Sequence, residues 1–128
     1  MIWGKIISFT SRGAAVGRKL AALMPQDKIE RYARGEDASL EHTIFTRMIQ
    51  QAMVDCGLIV FIGDAETAVR AIAPYLQGAP CDPAVLVVDE NETYILPLLN
   101  GYLDDTPGLV QRLADGLGAQ PVFTTEGR

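Results

Sequence analysis

A mostly parallel β-sheet with helices packed on both faces, an α/β fold built as a three-layer α/β/α sandwich, is the architecture expected of this chain. An antiparallel hairpin at one edge of the sheet is possible. Three features carry the expectation. Strand-like and helix-like stretches alternate from end to end, the pattern of consecutive βα units joined by right-handed crossovers. The run Leu58-Ile59-Val60-Phe61-Ile62 is apolar without interruption, which suits a central parallel strand covered on both sides. The turn Asp89-Glu90-Asn91-Glu92 separates two β-rich runs, which suits a hairpin or a short return.

Taken in order, Ile2 to Phe9 reads as an opening strand, and Val16, Leu20 and Leu23 then recur at helical spacing until Pro25 ends the helix. Lys28 to Tyr32 is read as a short strand before the polar loop Arg34-Gly35-Glu36-Asp37. Ser39 is placed as the N-cap of a long helix whose buried stripe is Leu40, Ile44, Met48 and Ala52, flanked by Phe45, Ile49 and Met53, and Gly57 closes it. After the apolar strand, Val69, Ile72, Ala73 and Leu76 give a further helical stripe that Pro74 should kink or shorten. Ala84 to Val88 and Thr93 to Leu96 are the two hairpin strands. Asp105 or Thr106 caps a last helix with Pro107 in its first turn, Leu109, Val110, Leu113 and Leu117 on its buried face, and Gly118 as its stop. Pro121 to Thr124 supplies a final strand.

Residues 1–128 are read as a single domain, since the chain is too short for two ordinary cores. An apolar fraction of 48% against 21% charged residues sets it apart from disordered chains, so a core is expected. Leu58 to Ile62 is far shorter than the roughly 20 apolar residues a membrane helix needs, and no secretory pattern opens the chain, so a cytoplasmic location without membrane contact is expected. A net charge of −5 with dispersed cations disfavours nucleic acid. The modest cluster Arg12, Arg18 and Lys19 is explained by a solvated helix face. Cys56 and Cys81 lack CxxC spacing and read as buried, reduced thiols. The lone His42, on the polar side of the long helix, supports no catalytic triad.

Ligands of open α/β sheets bind beyond the carboxyl ends of the strands, where helix N-termini offer N–H groups to anions. Three segments qualify: Phe9 to Gly13, Gly63 to Thr67, and Asn100 to Asp105. In the first, Thr10 and Ser11 suit either an anion cradle or an ordinary cap. No P-loop or GxGxxG spacing is present. Asp89, Glu90 and Glu92 could raise one another's pKa and supply a general base, take up a divalent cation, or form an exposed acidic turn. No metal site is assigned, since the adjacent Asp104 and Asp105 lack further ligands in the pattern.

Several motifs follow one another from Leu58 to Thr125: FIG-x-A-x-x-AVR-x-IAP at Phe61 to Pro74, Asp82-Pro83-Ala84-Val85, Val87-Val88-Asp89-Glu90, Leu98-Leu99-x-Gly101, and Leu117-Gly118-Ala119-x-Pro121-Val122-x-Thr124-Thr125. In this order and spacing the chain resembles the N-terminal domain of the CbiG family of cobalamin biosynthesis, and the Phe9 to Gly13 start fits as well. The resemblance implies hydrolysis of the ring-A δ-lactone of cobalt-precorrin-5A, with release of acetaldehyde and water as nucleophile. That chemistry needs cations or N–H groups for the carboxylate arms, a base, and an oxyanion donor. It implies Asp89 and Glu90 as candidate catalytic carboxylates, and Thr10, Ser11, Gly63, Arg70, Gly101, Thr124 and Thr125 as candidate substrate-binding residues. Arg70 suits a carboxylate arm bidentately, or else pairs with Glu66 on the helix surface. No covalently bound cofactor is implied; cobalt belongs to the tetrapyrrole substrate.

The departures shape the expectation. Asp64 and Glu66 stand where the family has a small glycine-containing turn, and Asn100 to Pro107 replaces its SGHxGGAN stretch. Each added like-charge pair costs on the order of 1 kcal/mol against an anionic ligand, so a polyanionic tetrapyrrole is expected to bind this version poorly, while Asp104, Asp105 and Pro107 should improve the helix start. Family members also continue into further sequence, so a separate chain carrying the C-terminal half is an implied partner beside the cobalt-corrinoid precursor. The alternative is a non-catalytic interaction or regulatory domain that kept the fold. The corrinoid reading expects Gly63, Arg70, Asp89 and Gly101 on one concave surface.

Overall fold

The computed structural model describes residues 2–33 and 38–124, the side chains of 38–41 excepted. Its elements are β1 (Trp3–Ser8), α1 (Ser11–Ala22), β2 (Lys28–Ala33), α2 (Ala38–Asp55), β3 (Leu58–Ile62), α3 (Ala65–Ile72) with a 3-10 turn at Ala73–Tyr75, β4 (Ala84–Val88), β5 (Tyr94–Leu99), α4 (Thr106–Leu117) and β6 (Gln120–Pro121). They form one sheet in the order β2-β1-β3-β4-β5-β6. β1 to β4 are mutually parallel, β5 runs antiparallel to β4, and β6 pairs parallel to β5. The antiparallel pair is therefore one strand in from the edge, which β6 covers only along Tyr94 and Ile95.

Side chains alternate across the sheet and build two cores. Ile6, Leu58, Val60, Ile62, Leu86, Val88 and Ile95 meet Val16 and Leu20 of α1 and Val110 and Leu113 of α4. Ile7, Ile59, Phe61, Val85 and Val87 meet Phe45 and Ile49 of α2 and Ala68 and Ile72 of α3. This is the three-layer arrangement, and every residue of β3 is buried, as its uninterrupted apolar run requires. α1 lies close on the sheet because Gly17 carries no Cβ: one added there would meet Ile6 Cγ2 at 3.2 Å and Ile62 Cδ1 at 3.3 Å.

Several local expectations are corrected. α2 starts at Ala38, so Ser39 lies inside its first turn. Its buried stripe is Phe45, Ile49, Ala52 and Met53, with Met48 half-buried and Ile44 44% exposed. The apolar face was ambiguous by about one residue, or 100°, and the larger ring decides it: Phe45 packs edge-on against Phe9 at 5.7 Å and beside Tyr32 at 6.1 Å. On α3 the buried pair is Ala68 and Ile72, whereas Val69 and Leu76 are each 48% exposed, because Pro74 converts the helix to a 3-10 turn before Leu76 can reach the core. The last strand is Gln120–Pro121 rather than Pro121 to Thr124; Pro121 has no N–H, and only Val122 adds one more bond, to the Ile95 carbonyl at 2.9 Å. The loop at 34–37 lies outside the described residues.

Candidate functional site

The loops after β1 and β3 leave the sheet toward opposite faces, since α1 packs on one core and α3 on the other. This divergence makes the carboxyl ends of the two strands a topological switch point, the position where open α/β sheets take ligands in the crevice between the diverging loops. Thr10 and Ser11 stand on its β1 side and Gly63 on its β3 side, with Asp89 and Glu90 following the next strand, β4.

Thr10 is the N-cap of α1: its Oγ1 accepts the Gly13 N–H at 3.0 Å. Its hydroxyl donates to Glu90, whose carboxylate oxygens lie 2.6 and 2.9 Å away. Glu90 thereby reaches over the end of β3 to the positive end of the α1 dipole, where a carboxylate is favoured. Gly63 takes a φ of +149°, and its N–H is spent on the Val88 carbonyl at 2.9 Å. That backbone shape suits glycine. Asp64 caps α3 by accepting the Thr67 N–H at 2.7 Å, and hydrogen bonds from the Thr67 backbone and side chain hold its carboxyl below the ordinary value. The N-termini of α1 and α3 are thus each occupied by a carboxylate of the chain itself.

Asp89 serves the turn. Oδ1 accepts the N–H groups of Thr93 (2.9 Å) and Tyr94 (2.6 Å), and Oδ2 accepts that of Asn91 (3.2 Å). Glu92 is drawn to Lys19 of α1 at 2.9 Å. Of the three acidic residues, Glu90 alone faces the α1 start.

The expectation of a single concave surface fails, and the reversal of β5 is the reason. Because Val88 pairs with Ile95 and Val85 with Leu99, β5 returns to the amino ends of the parallel strands and delivers Gly101 there. Asn100 locks that end, its amide donating to the carbonyls of Ala79 (3.0 Å) and Asp82 (2.9 Å) just before β4. Gly101 is buried against Pro97, whose Cβ would lie 2.4 Å from an added Cβ, so it is a packing glycine. Thr124 is at the same end, its carbonyl accepting from the Tyr102 hydroxyl. Thr125 lies outside the described residues. Arg70 pairs with Glu66 at 3.0 Å, both side chains more than 70% exposed, so the surface ion pair is the arrangement found.

The segment from residue 47 to 127 matches the family described as Cobalamin synthesis G N-terminal. The chain belongs to that family. Over 121 residues it is 32% identical to the cobalt-precorrin-5A hydrolase of Salmonella typhimurium, and over 128 residues 27% identical to that of Priestia megaterium; each alignment covers 94% of this chain and 34% of the relative. A crystal structure of a cobalamin biosynthesis protein G homologue from Sulfolobus solfataricus superposes with a TM-score of 0.73 at 24% identity, over 96% of this chain and 37% of that one, and so supports the fold. The chain spans about a third of the length of the curated relatives it matches.

Within this family domain a concavity of about 900 Å³ lies at the opposite end, between the start of α4 and the amino ends of β1, β3 and β4. The Asn100 to Pro107 stretch, where the sequence departs from the family pattern, borders it through Asp104 and Asp105. Of the expected helix start, Asp105 is the N-cap and Pro107 stands in the first turn, but the Asp105 side chain makes no cap hydrogen bond. Among the described residues no group of three or more His, Cys, Asp or Glu could hold a metal ion, and no helix is long and apolar enough to cross a membrane.

Within the Phe9 to Gly13 segment, one side chain was given no role of its own. Arg12, in the first turn of α1 beside Ser11, is exposed and forms no ion pair among the described residues. The signal was its place directly after Thr10-Ser11, which grouping it with Arg18 and Lys19 as a solvated face obscured. Of the thiols, Cys56 is buried, and burial pushes its pKa up, while Cys81 is exposed, against expectation. His42 is exposed.

Proposed function

We propose that this chain is the N-terminal portion of a cobalt-precorrin-5A hydrolase acting in cobalamin biosynthesis, with the remaining polypeptide supplied separately or as further sequence. The observation that carries the reading is the alignment of 94% of the chain with two proteins of that name while it spans only 34% of each. Half a site needs a complement, so this domain binds and orients the substrate and shares the chemistry.

In this reading the crevice between β1 and β3 receives carboxylate arms of the cobalt-corrinoid precursor. Arg12 supplies the fork that binds a carboxylate bidentately, and the exposed Ser11 hydroxyl a further donor. Thr10 and Gly63 shape the crevice and have their own polar groups engaged. Glu90 is the carboxylate placed to take a proton from the attacking water, and Asp89 holds the turn that presents it. An incoming arm must share the α1 terminus with Glu90; at 4 Å two such charges repel by about 1 kcal/mol in water and about 4 kcal/mol at a partly buried site. Weak binding to the isolated chain follows, strengthened when a complementary wall excludes water. Arg70, spent on Glu66, contributes little.

Titration with a cobalt-corrinoid precursor, followed by its absorbance, tests the reading. Saturable binding that Arg12→Ala weakens at least about tenfold and Arg70→Ala leaves within about twofold is expected, since a hydrogen bond to a charged group is worth about 1.5 to 3 kcal/mol. Absence of binding both alone and with the remaining part of the Salmonella typhimurium hydrolase would sink it and favour the non-catalytic interaction or regulatory domain.

A further inference from the structure

We infer that the cleft at the amino ends of β1, β3 and β4 is the surface on which the rest of the hydrolase docks, through an apolar segment that carries a cationic side chain. The inference rests on the family reading above and is independent of corrinoid binding at the other end of the sheet.

Four observations converge. The cleft, about 900 Å³, is lined by Met24, Leu58 and Leu109 from the core and by Trp3, which is 41% exposed. The Lys28 ammonium lies 5.0 Å from the Trp3 ring centroid, and a part-exposed indole at the edge of an apolar hollow is the kind of surface that proteins bury against a partner. Secondly, about two thirds of each relative's length lies outside the part this chain spans, and that polypeptide must pack somewhere. Thirdly, Thr124 lies at this end of the sheet: its carbonyl is held by Tyr102, two residues before Asp104 at the cleft rim, and so at the opposite end from Glu90. Finally, the rim carries a charge in need of a counterpart. Asp27 is satisfied by the Ile2 N–H at 2.7 Å and lies 3.9 Å from Arg112, but Asp104 and Asp105 are exposed and have no ion pair among the described residues.

The alternative occupant, a polycarboxylate ligand, is disfavoured by those same two carboxylates. A second copy of this chain would bring like charge to like charge at a two-fold contact.

Trp3 is the only tryptophan, so 5-fluorotryptophan incorporation places one fluorine reporter in the cleft. The labelled chain is mixed with unlabelled polypeptide comprising the part of the Salmonella typhimurium hydrolase that this chain does not match. The expected result is a saturable shift of the Trp3 fluorine resonance. Gly108→Arg is the discriminating variant: Gly108 lines the cleft in α4, and an added Cβ meets nothing within 4 Å, so the fold tolerates a side chain that obstructs the cleft. It should weaken the complex at least about tenfold while leaving the thermal melt no lower, and Asp104→Lys with Asp105→Lys should do likewise. No shift up to about 100 µM partner, undiminished binding by Gly108→Arg, or a shift produced equally by the labelled chain alone at matched concentration would overturn the inference. Corrinoid titration of the same Gly108→Arg protein reads the crevice, so failure of one proposal is seen separately from failure of the other.

Discussion

Replacing Thr10 by alanine removes two hydrogen bonds at once, and their sizes can be worked from the structure. The first is the N-cap to the Gly13 N–H at 3.0 Å; losing a threonine cap costs about 1 kcal/mol, within a range of 0.5 to 2. The second runs from the hydroxyl to the Glu90 carboxylate at 2.6 and 2.9 Å. A bond to an ionised group contributes about 1.5 to 3 kcal/mol when enclosed, and water competes at this exposed site, which brings it to about 1 kcal/mol. Thr10→Ala should therefore destabilise by about 2 kcal/mol, a drop of roughly 6–10 °C in Tm for a chain of this length. Glu90→Gln should cost about 1 kcal/mol by weakening the same bond and removing an anion from the α1 terminus. Because the two share one contact while the helix-dipole part of the Glu90 cost adds, the double variant should fall short of the sum by about 0.5 kcal/mol. Urea unfolding of the four proteins, followed by far-ultraviolet circular dichroism, measures this cycle. Additivity within about 0.3 kcal/mol, or Thr10→Ser as damaging as Thr10→Ala, would refute the linkage of Glu90 to α1.

Other positions give independent checks. Gly17→Val should lose about 2 kcal/mol in chemical denaturation, since overpacking against Ile6 and Ile62 outweighs any gain in helix propensity, whereas Gly108→Ala, with open space around it, should gain about 0.5 to 1 kcal/mol. Iodoacetamide should label Cys81 in the native protein and reach Cys56 only on unfolding, because Cys56 is buried and its pKa is raised; equal native labelling, read by mass spectrometry, would contradict the burial. Folding holds the Asp64 carboxyl below its ordinary value of 3.8, so its stabilising cap is fully present above that pH and is lost as pH falls through the folded value. Asp64→Asn, which still caps, should flatten the acid limb of the stability profile below about pH 4. Asp89→Ala strips an acceptor from three turn amides and should cost about 1 to 3 kcal/mol; lost corrinoid binding with unchanged stability would instead make it a substrate contact.

The parts of the fold that were readable are those where period and burial agree. Leu58 to Ile62 has only one placement that satisfies five consecutive apolar residues, and the middle of the sheet is that placement. The capping role open to Thr10 likewise needed only local chemistry, a hydroxyl before a helix. Where two apolar faces competed, as with Ile44 and Phe45, the pattern was degenerate and tertiary contact chose between them. Glu90 was singled out for its type and motif, but its bond to Thr10, 80 residues away in sequence, has no local signature. Arg12 was passed over because an unpaired cation at a crevice and a solvated one on a helix look alike in sequence.

The larger misreading has one cause. Segments around Gly63 and Gly101 were assigned to one surface because each follows a strand and precedes a helix, which places both at carboxyl ends only if every strand points the same way. The turn at Asp89 to Glu92 breaks that condition: tied by three amides to one carboxylate, it sends β5 back down the sheet. From that reversal follow the arrival of Gly101 and the start of α4 at the opposite end, the burial of Gly101 on Pro97, and a rim of Asp104 and Asp105 around an apolar hollow. A domain organised this way has helix termini already occupied from within at one end, and at the other an apolar cleft whose rim carboxylates Asp104 and Asp105 have no ion pair among the described residues. The rim of the cleft is where carboxylates stay uncompensated, which is the physical ground for proposing the docking contact there and the substrate arms at the opposite end.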